Sequence, residues 1–149
     1  MERIRPAEPS DLAAVERLVE AAYDHYVPRI GKPPGPMLDD YAAHIAHGRI
    51  HLLCRETTLL GLVVLIEAEG RMLLDNVAVH PDAQGQGLGR RLIAFAEERA
   101  RQAGHDRLQL YTHEAMVENL ALYRRLGFRE IRRVEEKGYR RVYMEKTLA

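Results

Sequence analysis

Apolar and polar positions change period several times along the chain, and the changes mark out alternating strands and helices. Residues 3–5 predict a short opening strand that Pro6 cuts off. Leu12, Val15, Leu18 and Val19 then recur at spacings of three and four, the period of an amphipathic helix. Ser10 is its expected N-cap, because a hydroxyl there accepts from a backbone N–H left unpaired in the first turn. The helix should fade by Tyr26, since Pro28 disfavours helical backbone in the residue before it. Residues 27–36 hold four of the seven prolines together with Gly31 and Gly35, and read as a loop.

A short helix over 39–47, stopped by Gly48, follows. Apolar runs at 50–55, 59–67 and 72–79 predict three strands, the last ending at His80-Pro81. Leu88, Leu92, Phe95, Ala96 and Ala100 fall on one helical face, with Arg90, Arg91, Glu97 and Arg101 opposite, and Gly104 closes that helix. A strand at 107–112, a helix at 116–126 stopped by Gly127, and strands at 128–134 and 140–146 around a Lys137-Gly138 turn complete the pattern. The expectation is a single mixed α/β domain over 1–149, without repeats or linkers.

Composition narrows the class. The 149 residues are 46% hydrophobic and 30% charged, a globular balance. Lys+Arg and Asp+Glu both number 22, so the basic excess of a dedicated nucleic-acid binder is missing. No apolar run is long enough to span a bilayer, and the opening Met-Glu-Arg-Ile-Arg-Pro lacks the apolar core of a signal peptide, so a cytoplasmic protein is expected. Cys54 is the single cysteine. It excludes an intramolecular disulfide and a multi-cysteine zinc site.

The chemistry concentrates where the third apolar run meets the long helix. Gln84-Gly85-Gln86-Gly87-Leu88-Gly89-Arg90 places three glycines at alternate positions on a strand-to-helix turn. Backbone N–H groups at a helix start are unpaired and carry the positive end of the dipole, and glycines let an anion approach them. A dinucleotide fingerprint does not fit: begun at Gly85 its third glycine falls on Arg90, and begun at Gly87 it falls on Leu92. No P-loop sequence is present either.

Gln84-x-x-Gly87-x-Gly89 resembles the pyrophosphate loop, Gln/Arg-x-x-Gly-x-Gly/Ala, of the GNAT superfamily of acetyl-CoA-dependent N-acetyltransferases. Val77-Ala78-Val79-His80-Pro81 looks like the end of that family's central strand. Leu122-Tyr123-Arg124-Arg125-Leu126-Gly127-Phe128 is similar to its second motif, Leu-Tyr-x-x-x-Gly-Phe. The likeness runs from Leu59 to Phe128. One departure stands out: the family often has asparagine seven residues before the tyrosine, where this chain has Met116, with Asn119 as the substitute a turn later.

The resemblance implies a twisted mixed β-sheet flanked by helices on both faces, with the cofactor cleft between splayed central strands. It implies that backbone groups of Val77, Ala78 and Val79 hold the pantetheine arm and acetyl carbonyl. N–H groups across Gln84, Gly85, Gln86, Gly87, Leu88, Gly89 and Arg90 would hold the pyrophosphate, with Asn119 and Tyr123 completing the site. Acetyl-CoA is then the co-substrate and an amine the acceptor. No metal, nucleic acid or membrane is expected, and a homodimer is compatible.

Acetyl transfer requires a neutral amine, a stabilised oxyanion and a leaving thiolate. An alkylamine of pKa ~10.4 is only about 0.04% neutral at pH 7, so a base or a water chain is needed. Val77 N–H is the implied oxyanion donor. Tyr123 is the implied acid, but a phenol of pKa ~10 lies above a thiol of ~8.5, so full proton transfer is uphill by about 2 kcal/mol. A hydrogen bond to the developing thiolate, with the proton transferred late and in concert, is the expected role.

Asp75 is the candidate base, two residues before Val77 and on the same strand face if no bulge intervenes. Glu114 and water are the alternatives. His44, His47 and His51 read as surface histidines, and Cys54 as an inert core thiol. Tyr23, Tyr26, Tyr41, Asp39 and Asp40 flank the proline-rich segment, which with the C-terminal hairpin is where an acceptor would enter. Two rival readings remain: a non-catalytic acyl-CoA-binding or sensing domain, and an acetyltransferase of protein lysines or N-termini.

Overall fold

The chain runs β1 (Glu2–Pro6), α1 (Leu12–Tyr23), α2 (Val27–Ile30), α3 (Tyr41–Ala46), β2 (Ile50–Arg55), β3 (Thr58–Ala68) and β4 (Arg71–Val79). It continues as α4 (Leu88–Gln102), β5 (Arg107–His113), α5 (Val117–Arg125), β6 (Arg129–Glu136) and β7 (Tyr139–Thr147). The structure is a computed structural model that describes residues 1–149.

The strands form one mixed sheet in the order β1-β2-β3-β4-β5-β7-β6. Every neighbouring pair is antiparallel except β4–β5, and a parallel neighbour needs a long crossover, here supplied by α4. Period-two alternation divides the core between the faces. Leu52, Leu62 and Val64 pack with Val15, Val19 and Ile45 of α1 and α3. Leu53, Val63, Leu108 and Leu110 pack with Leu92, Ala96, Leu120 and Tyr123 of α4 and α5. Helices on both faces of a twisted mixed sheet are the architecture the motifs implied.

Three local expectations are corrected. Ser10 does not cap α1. The chain enters through a 3₁₀ turn at Pro9–Asp11, and Asp11 takes the polar contacts instead, accepting from Glu8 N–H at 2.7 Å and pairing with Arg5 at 2.9 Å. Residues 27–36 are not all loop. Val27–Ile30 forms one helical turn, which tolerates Pro28 because first-turn N–H groups have no helical acceptor. Finally, β4 is bulged: β3 pairs Val64 with Asn76 and Leu65 with Leu74, leaving Asp75 as the extra residue.

The proline-rich segment is tied to the sheet by a buried hydrogen-bond chain. Tyr23 hydroxyl donates to Asn76 Oδ1, Asn76 Nδ2 donates to Tyr41 hydroxyl at 3.0 Å, and Tyr41 hydroxyl donates to Pro36 C=O. No helix is long and apolar enough to cross a membrane.

Candidate active site

β4 and β5 pair only through Met72–Leu108, Leu73–Gln109 and Leu74–Leu110. The bulge at Asp75 turns β4 away immediately afterwards, and the two strands part. In an antiparallel ladder alternate residues turn both backbone groups to the same neighbour. His80 N–H bonds Leu60 C=O of β3 at 2.8 Å, so Val77 and Val79, at the odd positions, turn theirs to the edge β5 has vacated. Side chains use the same edge: Tyr23 hydroxyl lies 3.1 Å from Val77 C=O, and Gln84 Nε2 3.4 Å from Val79 C=O.

That edge faces a cleft of about 590 Å³ between β4, the start of α4, and α5. Gly85 and Gly87 have φ of +83° and +75°, a left-handed backbone that side-chain-bearing residues adopt only with strain. None of the N–H groups from Gly85 to Arg90 finds an acceptor within the chain. A row of unpaired amides at the positive end of a 15-residue helix suits a phosphate or pyrophosphate. Arg90 and Arg125 line the cleft without carboxylate partners, whereas Arg29, also at its rim, pairs with Glu118 at 2.8 Å.

Two loop side chains point elsewhere. Gln86 accepts from Arg55 at 2.9 Å and does not line the cleft, and Arg91 pairs with Glu2 at 2.9 Å. Ala78, Leu88 and Gly89 do line it, and Asn119 faces it from α5.

Tyr123 lies deeper on α5. Its ring is buried against Phe128, with centroids 5.9 Å apart and planes at 63°, and its hydroxyl makes no hydrogen bond within the chain. Burial pushes its pKa above the ordinary phenol value, so it is a protonated donor at neutral pH. With Tyr23, Val77 and Asn119 it borders both the cleft and a narrow passage of about 40 Å³ through the parted strands. Asp75, Tyr111 and Arg141 line both the passage and a second chamber of about 540 Å³.

The bulge overturns the expectation that Asp75 and Val77 share a face. Val77 packs toward the α4 core, while Asp75 turns to α3, its Oδ2 3.9 Å from His44 Nε2. Burial, reinforced by the Asp39 carboxylate, raises the Asp75 pKa. A hydrogen bond from Tyr111 at 3.1 Å and the neighbouring His44 oppose the shift. Glu114 is drawn away by Arg140 at 3.2 Å and Arg133 at 3.6 Å, and it does not line the passage.

Of the three histidines read as surface residues, His47 is exposed and the other two differ from expectation. His44 and His51 are buried, 7% exposed each. Asp39, His44 and Asp75 bring one donor atom apiece within 4.8 Å of one another, a set able to hold a divalent cation. The same geometry is satisfied without one: Arg49 approaches Nδ1 at 3.4 Å, leaving the ring proton on Nε2, which lies 2.8 Å from Asp39. Cys54 is a buried core thiol, as expected.

Sequence reasoning missed Tyr111, His113, Tyr139 and Arg141, because only the β5–β7 pairing brings them to the passage. His113 is a poor base. Its Nδ1 accepts from Ala115 N–H at 3.0 Å, so the neutral ring carries its proton on Nε2 and presents a donor.

Two clefts border a slot between parted strands, and one of them is lined by unpaired helix-start amides. The chain belongs to the acetyltransferase (GNAT) family, whose model matches residues 14–128. It is 26% identical over 117 residues to an uncharacterised N-acetyltransferase, YvbK, of Bacillus subtilis, covering 78% of this chain and 73% of that protein. The fold matches the ribosomal-protein-S18-alanine N-acetyltransferase of Escherichia coli with a TM-score of 0.80 at 22% identity, over 100% of this chain and 95% of that one. It matches the PaiA N-acetyltransferase of Thermoplasma acidophilum, solved with coenzyme A, with a TM-score of 0.82 at 16% identity over 99% of both.

Proposed function

We propose that this chain, acting as one unit, moves the acetyl group of acetyl-CoA to a primary amine by direct attack. The observation that carries the proposal is the passage: it lies between the amide-lined cleft and the second chamber, shares lining residues with each, and is bordered by Val77, Tyr123 and Asp75. The CoA pyrophosphate lies on the N–H groups of Gly85–Arg90, and the pantetheine arm follows the free edge at Val77 and Val79. The thioester then sits in the slot.

The amine approaches from the chamber. Its surplus proton passes to Asp75, whose pKa, raised by burial and by the Asp39 carboxylate, makes it a stronger base than an ordinary carboxylate. Nitrogen attacks the acetyl carbon, Val77 N–H meets the oxyanion, and the attached nitrogen gives its second proton to water as the intermediate collapses, Asp75 returning its own to solvent after product release. The C–S bond breaks, and the Tyr123 hydroxyl hydrogen-bonds the departing thiolate. Because burial has raised the Tyr123 pKa, the thiolate takes its proton finally from solvent. No step needs a metal or a covalent enzyme intermediate.

The test is twofold. At about 100 times its dissociation constant acetyl-CoA should raise the unfolding temperature by roughly 5–10 °C, while NAD should not. Thiol release should then depend on added amine. Binding without amine-dependent release would make the chain an acyl-CoA sensor instead.

A further inference from the structure

The two walls of the second chamber carry opposite charge. Asp39, His44 and Asp75 stand on the α3 and β4 side, and Lys32, Lys137 and Arg141 on the side built by the proline-rich segment and the β6–β7 hairpin. Tyr111 stands between them. Its hydroxyl donates to Asp75, and the Arg141 guanidinium carbon lies 4.5 Å from its ring centroid.

The cationic wall has donors to spare. Arg141 has a side chain only 14% exposed, yet of a guanidinium's five N–H groups it commits only those on Nη1, to Glu136 at 3.0 Å. Its Nη2 approaches Gly35, where a Cβ would lie 3.5 Å away. Lys32 pairs with no carboxylate, and its ammonium rests 4.1 Å from the Tyr139 ring centroid. Gly138, with φ of +79°, makes room for it: a Cβ there would come within 2.5 Å of Lys32 Nζ. Glu136 is the one carboxylate bonded to this wall and is shared with Tyr143, so positive charge is in excess.

We propose that the acceptor is a small primary amine that also carries a compact anionic group, with its nitrogen toward Asp75 and its anion on Arg141 and Lys32. This rests on the amine-transfer reading and narrows it. A plain alkylamine leaves the Arg141 donors unused, and a diamine brings a second cation against Arg141 and Lys32. An amine with an acid at its far end meets complementary charge at both walls, and two-point holding orients its nitrogen toward the slot.

The experiment compares ω-amino carboxylates from three to six carbons with alkylamines and diamines of matching length, plus one aminoalkylphosphonate, following thiol release from acetyl-CoA. At least one anionic amine should exceed its alkylamine counterpart in kcat/KM by roughly ten- to hundredfold, the scale of a hydrogen-bonded ion pair. Arg141→Met should abolish that advantage through KM, read as the ratio of kcat/KM for the anionic amine to kcat/KM for the alkylamine so that any loss common to both through Tyr111 and Asp75 cancels, and Lys32→Met should lower the same ratio. Whether the carboxylate or the phosphonate leads identifies the anion.

Equal turnover of alkylamines and anionic amines overturns the inference and leaves amine transfer standing. So does an Arg141→Met variant that slows both classes alike. Turnover of no amine, with acetyl-CoA binding intact, overturns the amine-transfer reading itself.

Discussion

Tyr111 hydroxyl donates to Asp75 Oδ1 at 3.1 Å, directly after the last backbone pair, Leu74–Leu110, that joins the two central strands. The contact holds a buried carboxylate at the mouth of the slot, on the side away from the amide-lined cleft. It also keeps β4 and β5 associated by side chains where their backbones have parted.

Asp75→Asn should therefore separate activity from stability. Removing a base lowers kcat by about 100-fold or more. Asp75 has its pKa raised by burial first and by Asp39 second, so its contribution to stability is full at low pH and lost as pH rises through the folded value. At pH 7 the variant should unfold at a higher temperature than the parent, and the gap should close in acid. An unchanged kcat would exclude Asp75 as the base. In the parent enzyme the acid limb of the rate profile should lie above the ordinary carboxylate range.

Tyr123→Phe should lower kcat by roughly 10- to 100-fold with little change in acetyl-CoA affinity, because in the proposed reaction the hydroxyl meets the thiolate as it leaves. The fold should be undisturbed, since that hydroxyl has no partner within the chain and the Phe128 contact is made by the ring. Pre-steady-state thiol release and a CoA titration measure the two effects. Equal loss in both would make Tyr123 a binding residue.

Gly87→Ala tests the helix start. A Cβ at Gly87 meets nothing within 4 Å, so the penalty is conformational, from a φ of +75°. It amounts to about 1–2 kcal/mol, or roughly 2–8 °C in Tm. If the backbone relaxes, the amide row is disturbed as well, and the CoA dissociation constant should rise. A variant with parental Tm and CoA affinity would remove this turn from the binding site.

His51 governs a pH response remote from the slot. Its buried Nδ1 has no hydrogen-bond partner, and burial, then Arg99, lower its pKa below the ordinary value. Above about pH 6.5 the ring is neutral folded or unfolded. As pH falls below that, the unfolded chain binds the proton first, and stability is lost down to the folded value. His51→Leu should flatten the dependence of Tm on pH over this window. A slope equal to the parent's would assign the response to other groups.

Much of the scaffold was readable before the fold was known. The strand at Ile50–Arg55 is where the apolar run puts it, and the long helix follows from Leu88, Leu92, Ala96 and Ala100 recurring on one face. Both signals are local periodicities, imposed by the geometry of the element itself. Gly85 and Gly87 were legible for a related reason. A left-handed backbone at a helix start demands glycine, so the residue type reports the conformation.

Ser10 and Val27–Ile30 were misread because their outcome depended on competitors. Asp11 accepts from Glu8 and pairs with Arg5 on a neighbouring strand, leaving Ser10 without a role at the cap. Pro28 is excluded from a helix interior but not from a first turn, and composition alone does not say which position it occupies.

By itself, then, the sequence determined the order of the elements, the family's loop and tyrosine motifs, and the glycines that bare a row of amides. Only the tertiary structure decided which way Asp75 faces, which residues meet in the second chamber, and that His44 lies beside both Asp39 and Asp75. Register is the reason. One extra residue on β4 reverses the side-chain alternation between Leu74 and Asn76, and a bulge exists only in relation to the partner strand. Arg141 reaches the passage through its pairing with His113 on β5, a contact between residues far apart in the chain that no local pattern encodes.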